Sequence, residues 1–230
     1  MPVLLESNVP RIRKEDYEKE AIGFLKLYYP EALEKIIQIP IMEIARKRMG
    51  LRVVKRRLSE DFSILGQMCF TNGLEELYYK ETDEYRMAKV RYGTMIIDPD
   101  TIEKRNEGCL NNTIAHECFH WHKHRDYYIA TSVVDGKKTI KAISLADENS
   151  LTDEDWMEIQ ARAIAPRILM PPEQFDEKVK KCIEEFCKIS TRNSSWVLHN
   201  YVVNQLACFF GVSKQSTEIR LSERGYHLRE

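Results

Sequence analysis

The 230-residue sequence has almost no excess charge: 35 Lys and Arg stand against 36 Asp and Glu, a net charge of -1 with a pI of about 6.6. It therefore lacks the global basic footprint with which proteins grip duplex nucleic acid. It also lacks any run close to the ~20 apolar residues of a membrane span. Its most apolar stretch, WVLHNYVVNQLACFF, is interrupted by His199, Asn200, Asn204 and Gln205. The opening segment, MPVLLESNVPRIRKEDYEKE, has no apolar core of the length a secretory signal needs. None of the six cysteines pairs as CxxC, which argues against a cysteine-built zinc site. Their irregular spacing in a chain of this size reads as reduced thiols. Repeats, low-complexity tracts and flexible linkers are absent as well. A soluble cytoplasmic protein without a membrane partner is expected.

What is present suffices for a core: 43% of residues are apolar and 31% charged. Tyr17, Ala21, Phe24, Leu25 and Tyr28 recur at helical spacing within residues 14–37, and a second helical pattern runs from Ile41 to Met49 with Gly50 as its C-cap. The basic run at 45–57 reads as a solvated face. Residues 64–79 read as a hairpin turning at Thr71-Asn72-Gly73. A longer strand runs from Met87 through Tyr92 to Ile97, and a small sheet results. A helix over 106–125 follows, then a loop or hairpin over 129–143 around Asp135-Gly136. The next helix covers 153–170, with Pro166 expected to free the carbonyl of Arg162 and bend the axis. The predicted class is α+β, with a small antiparallel or mixed sheet. Its parts are a helical segment over 1–60, a core over 61–175 and a helical C-terminal segment over 176–230.

The chemistry concentrates in His116-Glu117-Cys118-Phe119-His120. On a helix, residues four apart lie about 40° apart on one face, so both imidazoles can reach one ion. Glu117 lies about 60° round from His120, displaced from the ligand direction but near enough to take a proton from a water at the metal. Leu110, Ile114, Cys118 and Trp121 form an adjoining apolar stripe that can anchor this helix. A catalytic zinc site needs a third protein ligand and keeps its fourth position open. No further histidine follows at metzincin spacing, so a carboxylate of the 153–170 helix is expected. Glu158 is the first choice, because Ala161 and Ala165 on its side of the helix permit close approach. Asp153, Glu154 and Asp155 remain rivals in a first turn where acids commonly serve the helix dipole. His122 reads as structural or exposed. His124, a turn past His120, reads as a cleft residue or a polar helix end.

The motifs HECFHWHKHR, DWMEIQARAIAPRILMPPEQF and NQLACFFGVSKQSTEIRLSERGY resemble the ImmA/IrrE family of zinc metallopeptidases, and the N-terminal segment resembles that family's helical entry. The resemblance implies a zincin-like fold with Zn2+ held by His116, His120 and Glu158 and with Glu117 as catalytic base. It also implies a peptide substrate lying as an added strand beside a sheet edge, for which the strand ending at Ile97 is the candidate. Family members cleave helix-turn-helix repressors, so such a protein is the implied partner. Arg162 departs from the Asn or Asp that the family carries at this position, where it would help orient a ligating histidine. The segment from Gln205 to Arg224 has the rhythm of a helix-turn-helix, although Glu218 and Glu223 dilute its basic residues. It reads as a helical cap rather than a DNA reader. The competing functional reading is a non-proteolytic regulatory or protein-binding module with a vestigial or structural zinc site.

Overall fold

Helix α1 (Tyr17–Tyr28) buries Tyr17, Ala21, Phe24 and Leu25 along one stripe, as their i, i+4, i+7, i+8 spacing requires. The computed structural model describes residues 9, 11–135, 152–189 and 194–229. Pro30 stands just before α2 (Glu31–Glu34), and Pro40 just before α3 (Ile41–Glu43), which continues as a π-helical turn over Ile44–Arg48. Gly50, at φ +69°, ends this unit in the left-handed conformation that a C-terminal glycine supplies.

Five strands follow: β1 (Arg52–Lys55), β2 (Gly66–Cys69), β3 (Gly73–Tyr79), β4 (Glu84–Val90) and β5 (Thr94–Ile97). They form two sheets among the described residues. One is mixed, in the order β1-β5-β2, with β5 parallel to β1 and antiparallel to β2; the other is the β3–β4 hairpin. Every residue of β5 is buried, as suits a central strand covered on both faces. Alternation divides its side chains. Met95 and Ile97 join Met68 in the main apolar cluster, whereas Ile96 joins Leu58, Cys69 and Leu77 beneath the hairpin.

Several sequence expectations give way here. Thr71-Asn72-Gly73 does not close a hairpin of β2 with β3, because β2 pairs with β5 and β3 pairs with β4. The long strand to Ile97 is two strands, separated at Gly93, whose φ is +73°. Within the basic run, Arg52–Lys55 is a strand with charged, exposed ends. β5, expected as the free edge, is central, and the free edge beside the metal helix belongs to β2. The expected loop or hairpin at 129–143 is helix as far as Asp135, and its remainder lies outside the described residues.

The remaining elements are helical: α4 (Thr101–Lys104), α5 (Glu107–Phe119), a π-helical turn over His120–His124, α6 (Arg125–Asp135), α7 (Asp153–Leu169), α8 (Pro172–Ile189), α9 (Ser195–Phe210) and α10 (Lys214–Glu223). The Asn106 side chain accepts the Cys109 N–H at 2.8 Å to start α5, and Thr152 with Asp155 forms a capping box on α7. Helices α5 and α7 pack together, and Ile114 and Cys118 of the one and Ala161 and Ala165 of the other are fully buried in the same apolar cluster.

The C-terminal helices are seated on this frame. Gly211, at φ +61°, turns the chain between α9 and α10. That turn lies so close to α5 that a Cβ on Gly108 would stand 2.2 Å from the Val212 carbonyl carbon. Asn111 fastens it by donating to the Gly211 carbonyl at 2.8 Å. Buried Arg220 bonds the Glu18 carboxylate and the Met170 carbonyl, and Arg224 bonds Asp176. These two guanidiniums of the α10 segment thus hold the fold together. No helix among the described residues is long and apolar enough to cross a membrane, and all six cysteines are free thiols.

Candidate metal centre

His116 and His120 lie one turn apart near the C-terminal end of α5, and α7 brings Glu158 to them. His116 Nε2 is 3.0 Å from His120 Nε2 and 3.3 Å from Glu158 Oε2, while His120 Nε2 is 3.2 Å from Glu158 Oε1. In a tetrahedral zinc site, ligand atoms are about 3.3 Å apart, given bonds of about 2.0–2.1 Å. The separations are of that size, with His116 and His120 each facing a different oxygen of the Glu158 carboxylate. Glu158 Oε2 is buried and accepts no hydrogen bond, an unmet demand that a cation would satisfy. Of the described His, Cys, Asp and Glu residues, these three alone form a group that could hold a metal. The rivals are engaged elsewhere: Asp155 in the capping box, Glu154 with the Tyr127 hydroxyl at 3.4 Å, and Asp153 with Arg11 at 3.5 Å.

The electrostatics fit a buried site of mixed sign. Burial alone would raise the Glu158 pKa, but the close imidazoles of His116 and His120 outweigh it and hold the carboxylate well below its ordinary range. Burial depresses His120, aided by the charge of His116. Burial also acts to depress His116, yet its contact with the Glu158 carboxylate and the charges of Glu117 and Glu158 leave it raised. Burial, then the charge of Glu158, pushes Glu117 up to about 7, against the charge of His116 and a hydrogen bond from the Met68 N–H.

That last bond ties the helix to the sheet. Asp98 N–H donates to the Leu65 carbonyl at 2.9 Å, and hydrogen-bonded pairs alternate along antiparallel strands. Gly66 and Met68 therefore turn their backbone groups away from β5, toward the free edge. Gly66 also lets this edge close on α5: a Cβ there would stand 2.5 Å from Thr113 Cγ2 and 3.1 Å from Glu117 Oε1. Neither Gly66 nor Met68 is marked by any sequence motif.

The other histidines part company. His122 packs edge-on against Phe24 and Tyr28, a structural place. His124 is fully buried, with Nδ1 3.1 Å from His120 Nδ1 and Nε2 3.1 Å from Gln160 Oε1. The i, i+4, i+8 spacing of His116, His120 and His124 is a signal that could have placed His124 here; Gln160 carries none. The Tyr128 hydroxyl is buried without a hydrogen-bond partner, and burial, then the charge of Glu158, raises its pKa. Exposed Arg162 lies one turn beyond Glu158, and its charge reaches His116.

A small mixed sheet against a helix with two histidines, met by a carboxylate from a second helix, defines a zincin-like α+β domain of metallopeptidase type. Residues 104–222, just over half of the chain, match the family Peptidase_M78, the IrrE N-terminal-like domain, and the chain belongs to this ImmA/IrrE family. The matched span runs from within α4 into α10 and so carries both site helices. No curated protein and no solved structure gave a significant match.

Proposed function

We propose that the protein is a zinc-dependent endopeptidase acting on a protein substrate, with a helix-turn-helix repressor of bacterial or mobile-element origin as the substrate class. The observation that carries this reading is the convergence of His116, His120 and Glu158 with Glu117 buried beside them. A purely structural zinc site fills its fourth position with another Cys or His and needs no base. Bound zinc would polarise the scissile carbonyl and stabilise the charge that develops on it.

The chain's own residues divide the remaining work. His116, His120 and Glu158 would hold the ion. Glu117 takes a proton from the attacking water and passes it to the leaving amine, as its burial beside His116 and Glu158 allows. Met68 N–H holds the Glu117 carboxylate in place. The outward backbone groups of β2 are the edge along which an extended substrate segment would pair. A cytoplasmic location suits such a substrate. The inward engagement of Arg220 and Arg224 leaves the C-terminal helices poorly equipped to read DNA.

The test is to co-express the protein with neighbouring repressor candidates and search for fragments by mass spectrometry. Zinc-dependent cleavage at one or a few sites, absent with Glu117→Gln, is expected. Cleavage unaffected by zinc removal or by that substitution would refute the reading.

A further inference from the structure

The two histidines of the centre are supported unequally. His120 Nδ1 meets His124 Nδ1 at 3.1 Å, and His124 Nε2 meets Gln160 Oε1 at 3.1 Å. All three side chains are buried, His120 at 1% exposure and the other two at 0%. By contrast, His116 Nδ1 makes no hydrogen bond to any described residue. Its neighbour Arg162 has only donors to offer, where the family resemblance implies an Asn or Asp that could accept.

The hydrogen positions in the buried chain follow from valence. A side-chain amide oxygen only accepts, so His124 Nε2 must carry a hydrogen. No carboxylate bonds His124, so the buried ring is neutral and its Nδ1 is an acceptor. The hydrogen between the two Nδ1 atoms therefore belongs to His120. That leaves the His120 Nε2 lone pair directed at His116 and Glu158. Reversing the Gln160 amide would reverse the chain, put a hydrogen on His120 Nε2 and block coordination there. The π-helical turn over His120–His124 assists. In an α-helix His124 would drift about 40° around the axis from His120, and the wider turn reduces that drift.

We infer that His124 and Gln160 form a relay that fixes the tautomer and direction of His120, making them positioning residues for the metal. This rests on reading the site as a zinc centre. Outer partners of ligating histidines typically contribute ~10–100-fold in metal affinity, and here that contribution falls on one histidine only.

Chelator competition for Zn2+ with the full-length protein, alongside thermal unfolding of the metal-free form, tests the relay. His124→Leu keeps bulk without an acceptor and should weaken zinc binding ~10–100-fold. His124→Asn places an amide oxygen near the position of Nδ1 and should recover most of that loss. Leu fills the space of the imidazole better than the smaller Asn does, so a site that merely needs filling would bind zinc more tightly with Leu than with Asn, the reverse of the order the relay predicts. Should the position-124 variants fail to fold, Gln160→Leu, which removes the acceptor for His124 Nε2, poses the same question and should weaken zinc binding. Equal zinc affinity across wild type and folded relay variants overturns the relay alone. A wild-type protein that binds no zinc overturns the metal-centre reading with it.

Discussion

Adding one methyl group at Gly66 should loosen the contact between the β2 edge and the helix that carries Glu117. The new Cβ would stand 2.5 Å from Thr113 Cγ2 and 3.1 Å from Glu117 Oε1. Overpacking of this kind costs about 1–3 kcal/mol. Replacing Gly by Ala where φ is not left-handed also restricts the unfolded chain, which returns about 0.4–1 kcal/mol. The net loss for Gly66→Ala is then about 0.5–2 kcal/mol, or a fall in Tm of about 1–8 °C for a chain of this length. Thr113→Ser removes Cγ2 but keeps the hydroxyl that donates to the Cys109 carbonyl at 3.0 Å. In that background the larger clash is gone, and Gly66→Ala should be close to neutral. The double-mutant cycle, read by thermal and urea unfolding, should give a coupling of about 1 kcal/mol. Strict additivity, with the same cost in both backgrounds, would refute the close approach of β2 to α5. Peptidase activity of Gly66→Ala should fall further than its stability does, because Glu117 and the Met68 N–H are displaced together.

Other predictions address the site and its frame. Glu158→Ala should empty the metal centre as measured by metal content after dialysis, whereas Asp155→Ala should cost only cap stability, about 0.5–2 kcal/mol; the opposite pattern would reassign the third ligand. Glu117→Gln should retain zinc and lose cleavage, and full activity in that variant would remove Glu117 from the chemistry. Arg220→Leu should cost about 3 kcal/mol in urea unfolding, because it strips donors from the buried Met170 carbonyl and a partner from Glu18. That estimate takes the low end for a broken buried pair, since the Glu18 side chain is 33% exposed and can be rehydrated. An unchanged stability would show that the C-terminal helices are not fastened through this residue.

Local pattern carried the centre a long way and the sheet hardly at all. The pair His116 and His120 needs only a helix, and Ala161 and Ala165 marked the face of α7 that bears Glu158; both are properties of short stretches. The strand order depends on partners distant in sequence. Thr71-Asn72-Gly73 has a hairpin turn's composition, but Gly93 N–H donates to the Cys69 carbonyl and the Asn72 side chain accepts from Tyr92 N–H. Those bonds draw the end of β2 toward β5 instead of β3. Val53 and Val54 were obscured by the charges around them, which suit an edge strand as well as a helix surface. Ile129 and Thr131 are β-branched and opened a stretch that reads as loop or hairpin, yet the helix entering from the π turn carries them onward. Arg162 was visible as a departure from the family pattern, whereas the buried contacts that run from His120 through His124 to Gln160 emerge only in three dimensions.

The open three-ligand metal site is tested most directly by anomalous diffraction at the zinc edge from crystals of the zinc-loaded protein. One peak should appear between His116 Nε2, His120 Nε2 and the Glu158 carboxylate, with no fourth protein ligand and with Glu117 beside the open position. A peak elsewhere, or a fourth side chain closing the coordination, would contradict it.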